Sequence, residues 1–400
     1  MTATDIAGSD ELLVDERLTG LLESHPPAST PDRDFLGAQF DAGLAWIHFP
    51  VGYGGLGVSR KLQARVNDRL RQAGAPNLAA RNAIGYGMAA PTILTMGSDE
   101  QKSRYLRPLF TCEEIWCQLF SEPGAGSDVA SLATRAIRDG EEWLLTGQKV
   151  WTTLAHTSAF GMVLARTDPE AEKHKGLTYF VVDMRAPGVE VRPLRQMTGD
   201  AEFNEVYFTD VRVRDSERLS PVGEGWRGAI VTLMNERVAI GGGVPPRGGG
   251  AIGTALRIWE KIPPERRGTV LRDGLARLWV ESEVLRLNRM RATVSSALGT
   301  PGPEGSLGKL AGAEFNKKVY EFCEDLLGPA GMLYDSYEMR RPEGAMESRS
   351  VQQMFLRSRA NSIEGGTSEV MRNILGERVL GLPGDVRVDK GLPWSQVPRS

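Results

Sequence analysis

From the N-terminus to about Ile115 the apolar positions recur at helical spacing. LQARVNDRLRQAG places Leu62, Val66, Leu70 and Ala73 on one face, and AAPTILTMGSDEQKSRYLRPLF continues the same texture. Two glycine-rich breaks, VGYGGLG and IGYGM, interrupt the region. Gly97-Ser98-Asp99-Glu100-Gln101 reads as a turn that opens a new helix through a Ser or Asp cap. From about Trp116 to Leu219 the pattern changes. Short alternating or β-branched runs (EEWLLTGQKVWTTL, FGMVLART, LTYFVVDM, VEVRPL, EVYFTDVRV) are separated by Gly, Asp and Pro, which predicts an antiparallel β domain. Thr146-Gly147 reads as a tight turn inside the first of these runs.

From Gly223 helical spacing returns and dominates to about Leu380, in GWRGAIVTLMNERVAI, LRDGLARLWVESEVLRLNRMRATVSSAL and GSLGKLAGAEFNKKVYEFCEDLL. GGGVPPRGGG at 241–250 breaks or follows the first of these helices, because an interior proline costs ~3 kcal/mol. The organisation expected is an N-terminal helical domain (1–115), a middle β domain (116–220), a C-terminal helical bundle (221–385) and an extended or loosely ordered tail (386–400).

Composition narrows the function classes. The 400 residues are 41% hydrophobic and 25% charged, with a net charge of -3 and a pI near 6.0. That balance argues against a general nucleic-acid or membrane-surface role. No window reaches the ~20 apolar residues of a membrane span, and the acidic first residues resemble neither a signal nor a transit peptide. Cys112, Cys117 and Cys323 form neither a disulfide framework nor a zinc pattern, which points to reduced thiols in a cytoplasmic protein. Four scattered histidines (His25, His48, His156, His174) leave little for a metal site.

Three motifs carry candidate chemistry. In Cys117-Gln118-Leu119-Phe120-Ser121-Glu122-Pro123-Gly124-Ala125-Gly126-Ser127-Asp128, glycines let backbone approach a flat ligand, and Ser121 and Ser127 offer hydroxyls. Alone, it is equally a structural loop. In Thr146 to Thr153 (TGQKVWTT), the Trp151 indole can cover an aromatic ring system and a neighbouring hydroxyl can bond a ring heteroatom, although an isolated strand Trp more often belongs to a core. In Ile363-Glu364-Gly365-Gly366-Thr367-Ser368-Glu369, two glycines precede a Thr/Ser helix cap. The free N–H groups of a helix start suit a phosphate, and a plain capped turn has the same sequence.

In this order and spacing the three motifs resemble the acyl-CoA dehydrogenase family. The likeness runs from about Leu44 to Pro383 and includes PVGYGGLG at 50–57 and the closing RNILGERVLGLP. It implies the acyl-CoA dehydrogenase fold: an N-terminal α-helical domain, a central antiparallel β domain and a C-terminal α-helical bundle. It also implies FAD lying between the β domain and the bundle and reaching a neighbouring subunit. By the same likeness Gln118, Phe120 and Ser121 line the flavin, and Ser127 sits where flavin and thioester meet. Trp151 packs on the isoalloxazine beside Thr152 and Thr153, and Thr367, Ser368 and Glu369 approach the diphosphate or adenosine end. The implied reaction is α,β-dehydrogenation of an acyl-CoA to the trans-2-enoyl-CoA, the flavin taking a β-hydride while a carboxylate takes the α-proton.

Two carboxylates compete for the base. Many family members carry Glu directly before Gly-Thr-Ser, where this chain has Gly365, with Glu364 one residue earlier. Isovaleryl- and long-chain-type members place it in the first bundle helix before an Arg, and Leu233-Met234-Asn235-Glu236-Arg237 matches that pattern. Glu236 is therefore the expected base and Glu364 the second candidate. Leu233, Asn235, Arg237, Glu364 and Gly365 are expected near the substrate. The chain departs from the family at two FAD contacts: 263–272 lacks an Arg-x-x-Phe-Gly segment, leaving Arg266 or Arg267 as substitutes, and Asp325 stands where a Gln is common. The expected partners are an acyl-CoA, an electron-transfer flavoprotein and copies of the chain in a homotetramer. A heterotetramer with a paralogue is the other expected assembly, and a non-catalytic or half-site subunit of such a heteromer and a flavin oxidase or monooxygenase on the same fold are the competing readings.

Overall fold

The computed structural model describes residues 3–241, 244–298, 304–344, 349–386 and 389–398; within these, the side chains of 3–7, 236–241, 294–298 and 304 lie outside the description. Helices open the chain: α1 (Ala3–Ser24), α2 (Asp32–Asp41), α3 (Gln63–Gln72), α4 (Ala90–Met96) and α5 (Asp99–Phe110). Ser98 caps α5: its hydroxyl accepts from Gln101 N, and the Gln101 side chain returns to Ser98 N at 2.9 Å. IGYGM, read as a break, forms a π-helical turn over Gly85–Ala89 that runs straight into α4.

Strands follow as β1 (Trp116–Leu119), β2 (Arg135–Asp139), β3 (Glu142–Thr153), β4 (Phe160–Arg166), β5 (Leu177–Asp183), β6 (Val189–Leu194) and β7 (Phe203–Arg214). They form one sheet in the order β1-β4-β2-β3-β7-β6, with β5 paired to β4 off that path. The pairing is antiparallel except where β4 meets β1 and the end of β2 in parallel. Thr146-Gly147 is not a turn: β3 runs through it, and the extra residue is on β7, where Asp210 takes a positive φ. The glycine is required instead by the close approach of Thr134, just before β2, since a Cβ there would lie 2.7 Å from the Thr134 Cα. Gly147→Val is expected to destabilise the protein by ~1–3 kcal/mol through overpacking, read as a lower midpoint in urea or thermal unfolding.

The bundle comprises α6 (Gly225–Gly241), α7 (Ala251–Lys261), α8 (Thr269–Leu298), α9 (Glu304–Leu327), α10 (Val351–Arg357) and α11 (Ser368–Arg378). α6 includes Gly241 and α7 begins at Ala251, and the described residues 244–250 between them are not helical. Among the described residues no helix is long and apolar enough to cross a membrane.

The cores explain how the parts hold together. Side chains alternate across a strand. Met162 and Leu164 of β4, with Leu177, Tyr179 and Val181 of β5, face a core shared with α4, α5 and Ala229 of α6. Val163, Ala165, Phe180 and Val182, from the same two strands, face a second core with Trp143, Leu145, Val206 and Phe208. The near-continuous apolar runs in β4 and β5 thus reflect burial on both faces. α1–α3 and α7–α10 each close a further core. Because α6 is packed on β5 and α4 rather than only on its bundle neighbours, it fixes the bundle against the sheet. Tyr179 Oη lies 3.0 Å from Thr232 Oγ1, which lies 2.9 Å from Thr92 Oγ1.

Candidate active site

The first two motifs meet. β1 carries Gln118 and leads through buried Phe120 to half-buried Ser121. Glu122 and Ala125 exchange backbone bonds at 3.0 Å, closing a tight turn over Pro123-Gly124. β3 then locks onto this turn. Val150 N donates to Ser121 O at 2.9 Å. Lys149 Nζ, fully buried, donates to Phe120 O (3.0 Å), Leu164 O (2.8 Å) and Glu122 Oε1 (2.8 Å). Glu122 also accepts from Ala133 N and Thr134 N. Burial alone would raise the Glu122 carboxyl, but the Lys149 charge and these N–H donors outweigh it and hold the group below the ordinary carboxylate range.

Beyond Lys149 the strand is distorted in a way that displays the expected ring contact. The β3–β7 register slips between Lys149 and Thr152, so β3 carries one extra residue there. Trp151 sits at φ 59, a conformation that costs a non-glycine residue ~1–3 kcal/mol, and its indole is 57% exposed. Phe203 supports it edge-on at 5.8 Å. Thr152 is buried, and its Oγ1 has no partner among the described residues. Thr153, half-buried, follows. An exposed, strained indole beside a buried hydroxyl lacking a protein partner is the donor set that a flat, heteroatom-edged ring system completes. The residues present therefore fit a flavin.

The third motif forms a capped helix start. Gly365 and Gly366 have φ of 63 and 95, and Thr367 Oγ1 accepts from Val370 N at 3.2 Å. Ser368 is buried and donates to Glu314 Oε1 (3.1 Å), and Lys309 Nζ donates to Gly366 O. Glu369 points outward and pairs with Arg372 at 3.1 Å. Glu364 is engaged: Arg357 donates to both its oxygens (3.1 and 2.7 Å) and Asn361 Nδ2 donates at 2.7 Å. The Arg357 guanidinium lies 5.7 Å from the Phe203 ring centre. Glu364, Arg357, Phe203 and Trp151 thus form one row joining the third motif to the second.

The remaining expected residues are spread along this wall and α6. Ser127 is exposed on the loop after the Glu122–Ala125 turn. On α6, Leu233 packs on the shared core and Asn235 Nδ2 bonds its own helix at Val231 O (2.9 Å). Glu236 and Arg237 lie one turn beyond Thr232 in α6, with side chains outside the described residues. Of the two candidate arginines, Arg267 is spent on Ile262 O and Glu260 O, whereas Arg266 donates to Leu326 O beside exposed Asp325.

Several participants were missed in the sequence. The Glu122–Lys149 pair had a signal: Lys149 shares odd parity in β3 with buried Trp143 and Leu145, and a buried ammonium requires a partner. The ion cluster around Asp200 and Glu202 had none. Both are almost fully buried and pair with Arg340, Arg349 and Arg357 from the segment between α9 and the third motif.

Residues 13–113, 117–211 and 223–380 match the models of the acyl-CoA dehydrogenase N-terminal, middle and C-terminal domains. The chain is 40% identical over 360 residues to acyl-CoA dehydrogenase FadE34 of Mycobacterium tuberculosis, covering 89% of this chain and 47% of that protein, so it spans about half of that relative's length. It is 36% identical over 351 residues to acyl-CoA dehydrogenase IpdE1 of the same organism, covering 86% of each. Among solved structures it is similar to the Tcur3481-Tcur3483 steroid ACAD, with a TM-score of 0.69, 26% identity, and coverage of 96% of this chain and 99% of that one. The chain belongs to the acyl-CoA dehydrogenase family, a family of flavoprotein oxidoreductases.

Proposed function

We propose that this protein is an FAD-dependent dehydrogenase that removes the hydrogens on Cα and Cβ of an acyl-CoA thioester. The observation that carries the reading is the outward, strained Trp151 beside the unpartnered Thr152 hydroxyl, on a strand locked to the Phe120–Glu122 turn by Lys149. Gln118, Phe120, Ser121, Trp151, Thr152 and Thr153 would hold the ring system, and Thr367 and Ser368 would serve the diphosphate end. Bound there, FAD supplies the hydride acceptor.

Glu236 takes the α-proton. It stands on the helix whose preceding turns are pinned to Tyr179 and Thr92. Glu364 is the poorer base because Arg357 and Asn361 occupy its oxygens, and accepting a proton would break a charge-assisted pair. Glu364 and Gly365 instead form part of the wall that Arg357 and Phe203 share with Trp151. Glu369, exposed at the same helix start as Thr367 and Ser368 and paired with Arg372, is assigned with them to the diphosphate or adenosine end.

For the substrate we propose a bulky, ring-bearing acyl group, on the likeness to a steroid ACAD. The electron acceptor is an electron-transfer flavoprotein. A contact with a second subunit, a copy or a paralogue, through α8 is supported by Val280, Val284 and Leu287, which stand outward at helical spacing and are 61%, 52% and 55% exposed. The buried, unpaired thiols of Cys112, Cys117 and Cys323 suit a cytoplasmic setting.

The test is the visible spectrum of the purified protein. It is expected to be yellow and to bleach anaerobically with a ring-bearing acyl-CoA faster than with straight-chain thioesters. Faster bleaching by straight chains would overturn the substrate class. A protein that stays flavin-free in excess FAD would overturn the site itself, and rapid reoxidation by oxygen with peroxide release would replace the dehydrogenase with an oxidase.

A further inference from the structure

The C-terminal segment, expected to be extended or loosely ordered, is docked on the β domain beside the first motif. Trp394 N donates to Ala171 O (2.8 Å) and Ser395 N to Pro169 O (2.9 Å), with a bridge between Glu172 and Pro393. The Trp394 indole Nε1 donates to Ser131 O at 3.1 Å. Its ring lies 4.6 Å from the Arg166 guanidinium. That guanidinium, nearly fully buried, donates to Ala130 O (2.6 Å), Leu132 O (3.3 Å) and Lys173 O (2.8 Å). Lys173 Nζ in turn sits between Asp128 (2.8 Å) and Asp389 (2.5 Å). The segment therefore grips residues 128–132 through an indole–guanidinium stack, an indole hydrogen bond and a shared ammonium.

What it grips needs gripping. Gly124, Gly126, Ser127 and Asp128 are exposed, and two glycines give that stretch a large conformational entropy. Ser127 lies directly before the clamped Asp128. We propose that Trp394 and Lys173 are positioning residues: through them the C-terminal segment holds the 124–131 loop in one pose and so presents Ser127 to the thioester. The clamp joins the end of the bundle chain to the β domain, the two parts that flank the flavin wall. The assignment of Ser127 rests on the function proposed above; the clamp itself rests on the contacts alone.

The experiment uses the full-length, flavin-loaded protein with Trp394→Ala, Trp394→Phe and Asp389→Asn. Hydrogen–deuterium exchange of peptides spanning 124–131 is expected to be roughly tenfold faster in Trp394→Ala, with a smaller increase in Asp389→Asn. Trp394→Phe keeps a ring over Arg166 and is expected to restore most of the protection. KM for the acyl-CoA should rise several-fold in Trp394→Ala while kcat and flavin content stay within about twofold, the pattern of lost ground-state positioning. Unchanged exchange in both Trp394→Ala and Asp389→Asn would overturn the clamp. Faster exchange with an unchanged KM would overturn the positioning role. If no acyl-CoA bleaches even the wild type, the reading of Ser127 fails, and the exchange measurement still decides whether the clamp exists.

Discussion

Glu236→Gln is expected to slow anaerobic bleaching by an acyl-CoA on the order of 10²–10⁴-fold while leaving the flavin bound, because that is the usual contribution of a positioned general base. Glutamine keeps the volume and one acceptor oxygen but cannot take up the α-proton. The loss should therefore appear in the bleaching rate and in kcat/KM together, as for an interaction made mainly in the transition state. Stopped-flow spectroscopy of the reduced and oxidised bands reads it directly. Glu364→Gln is the informative control. It removes the charge that faces Arg357, so it should perturb the Arg357–Phe203–Trp151 row and the flavin spectrum more than the chemical step. A Glu236→Gln protein that bleaches at the wild-type rate would transfer the base role to Glu364.

Glu122→Gln is expected to be the most damaging single change to stability, costing roughly 3–5 kcal/mol, because it leaves the fully buried Lys149 ammonium without its counter-charge. The same ammonium holds Phe120 O and Leu164 O, so the flavin wall should loosen as well, and the purified variant should carry less flavin. The pH dependence follows from the depressed Glu122 carboxyl. Its stabilising contribution is present above the ordinary glutamate value, about 4.5, and is lost as the pH falls through the lower folded value. Wild-type stability should thus decline below about pH 4.5, and the part due to Glu122 should be absent from the variant's profile. Adding Lys149→Met removes both charges, and the double variant should recover part of the loss, with a coupling energy of ~1–3 kcal/mol in the mutant cycle. An additive cycle would mean that the two side chains stabilise the turn independently.

The sequence by itself determined the order of helices, sheet and helices, a Ser or Asp cap at the start of α5, the glycine- and proline-rich stretch before α7 and the three motifs. Each is written in neighbouring residues: a helix repeats every 3.6 positions, a strand every 2, and a cap acts across one turn. The family likeness drew on the same local stretches. Only the tertiary structure decided what those stretches meet. Gly147 read as a turn because Thr-Gly often is one, yet it is the approach of Thr134, just before β2, that requires it. The tail read as loose because it is polar and carries Gly and Pro, yet Arg166 and Lys173 provide a surface for it more than 200 residues away in sequence. Lys149 with Glu122, Arg357 with Glu202, and Trp394 with Arg166 are pairings between segments whose separation along the chain carries no periodic signal. Their energy depends on burial and distance, and both quantities come into being when the sheet, the bundle and the tail close around one another.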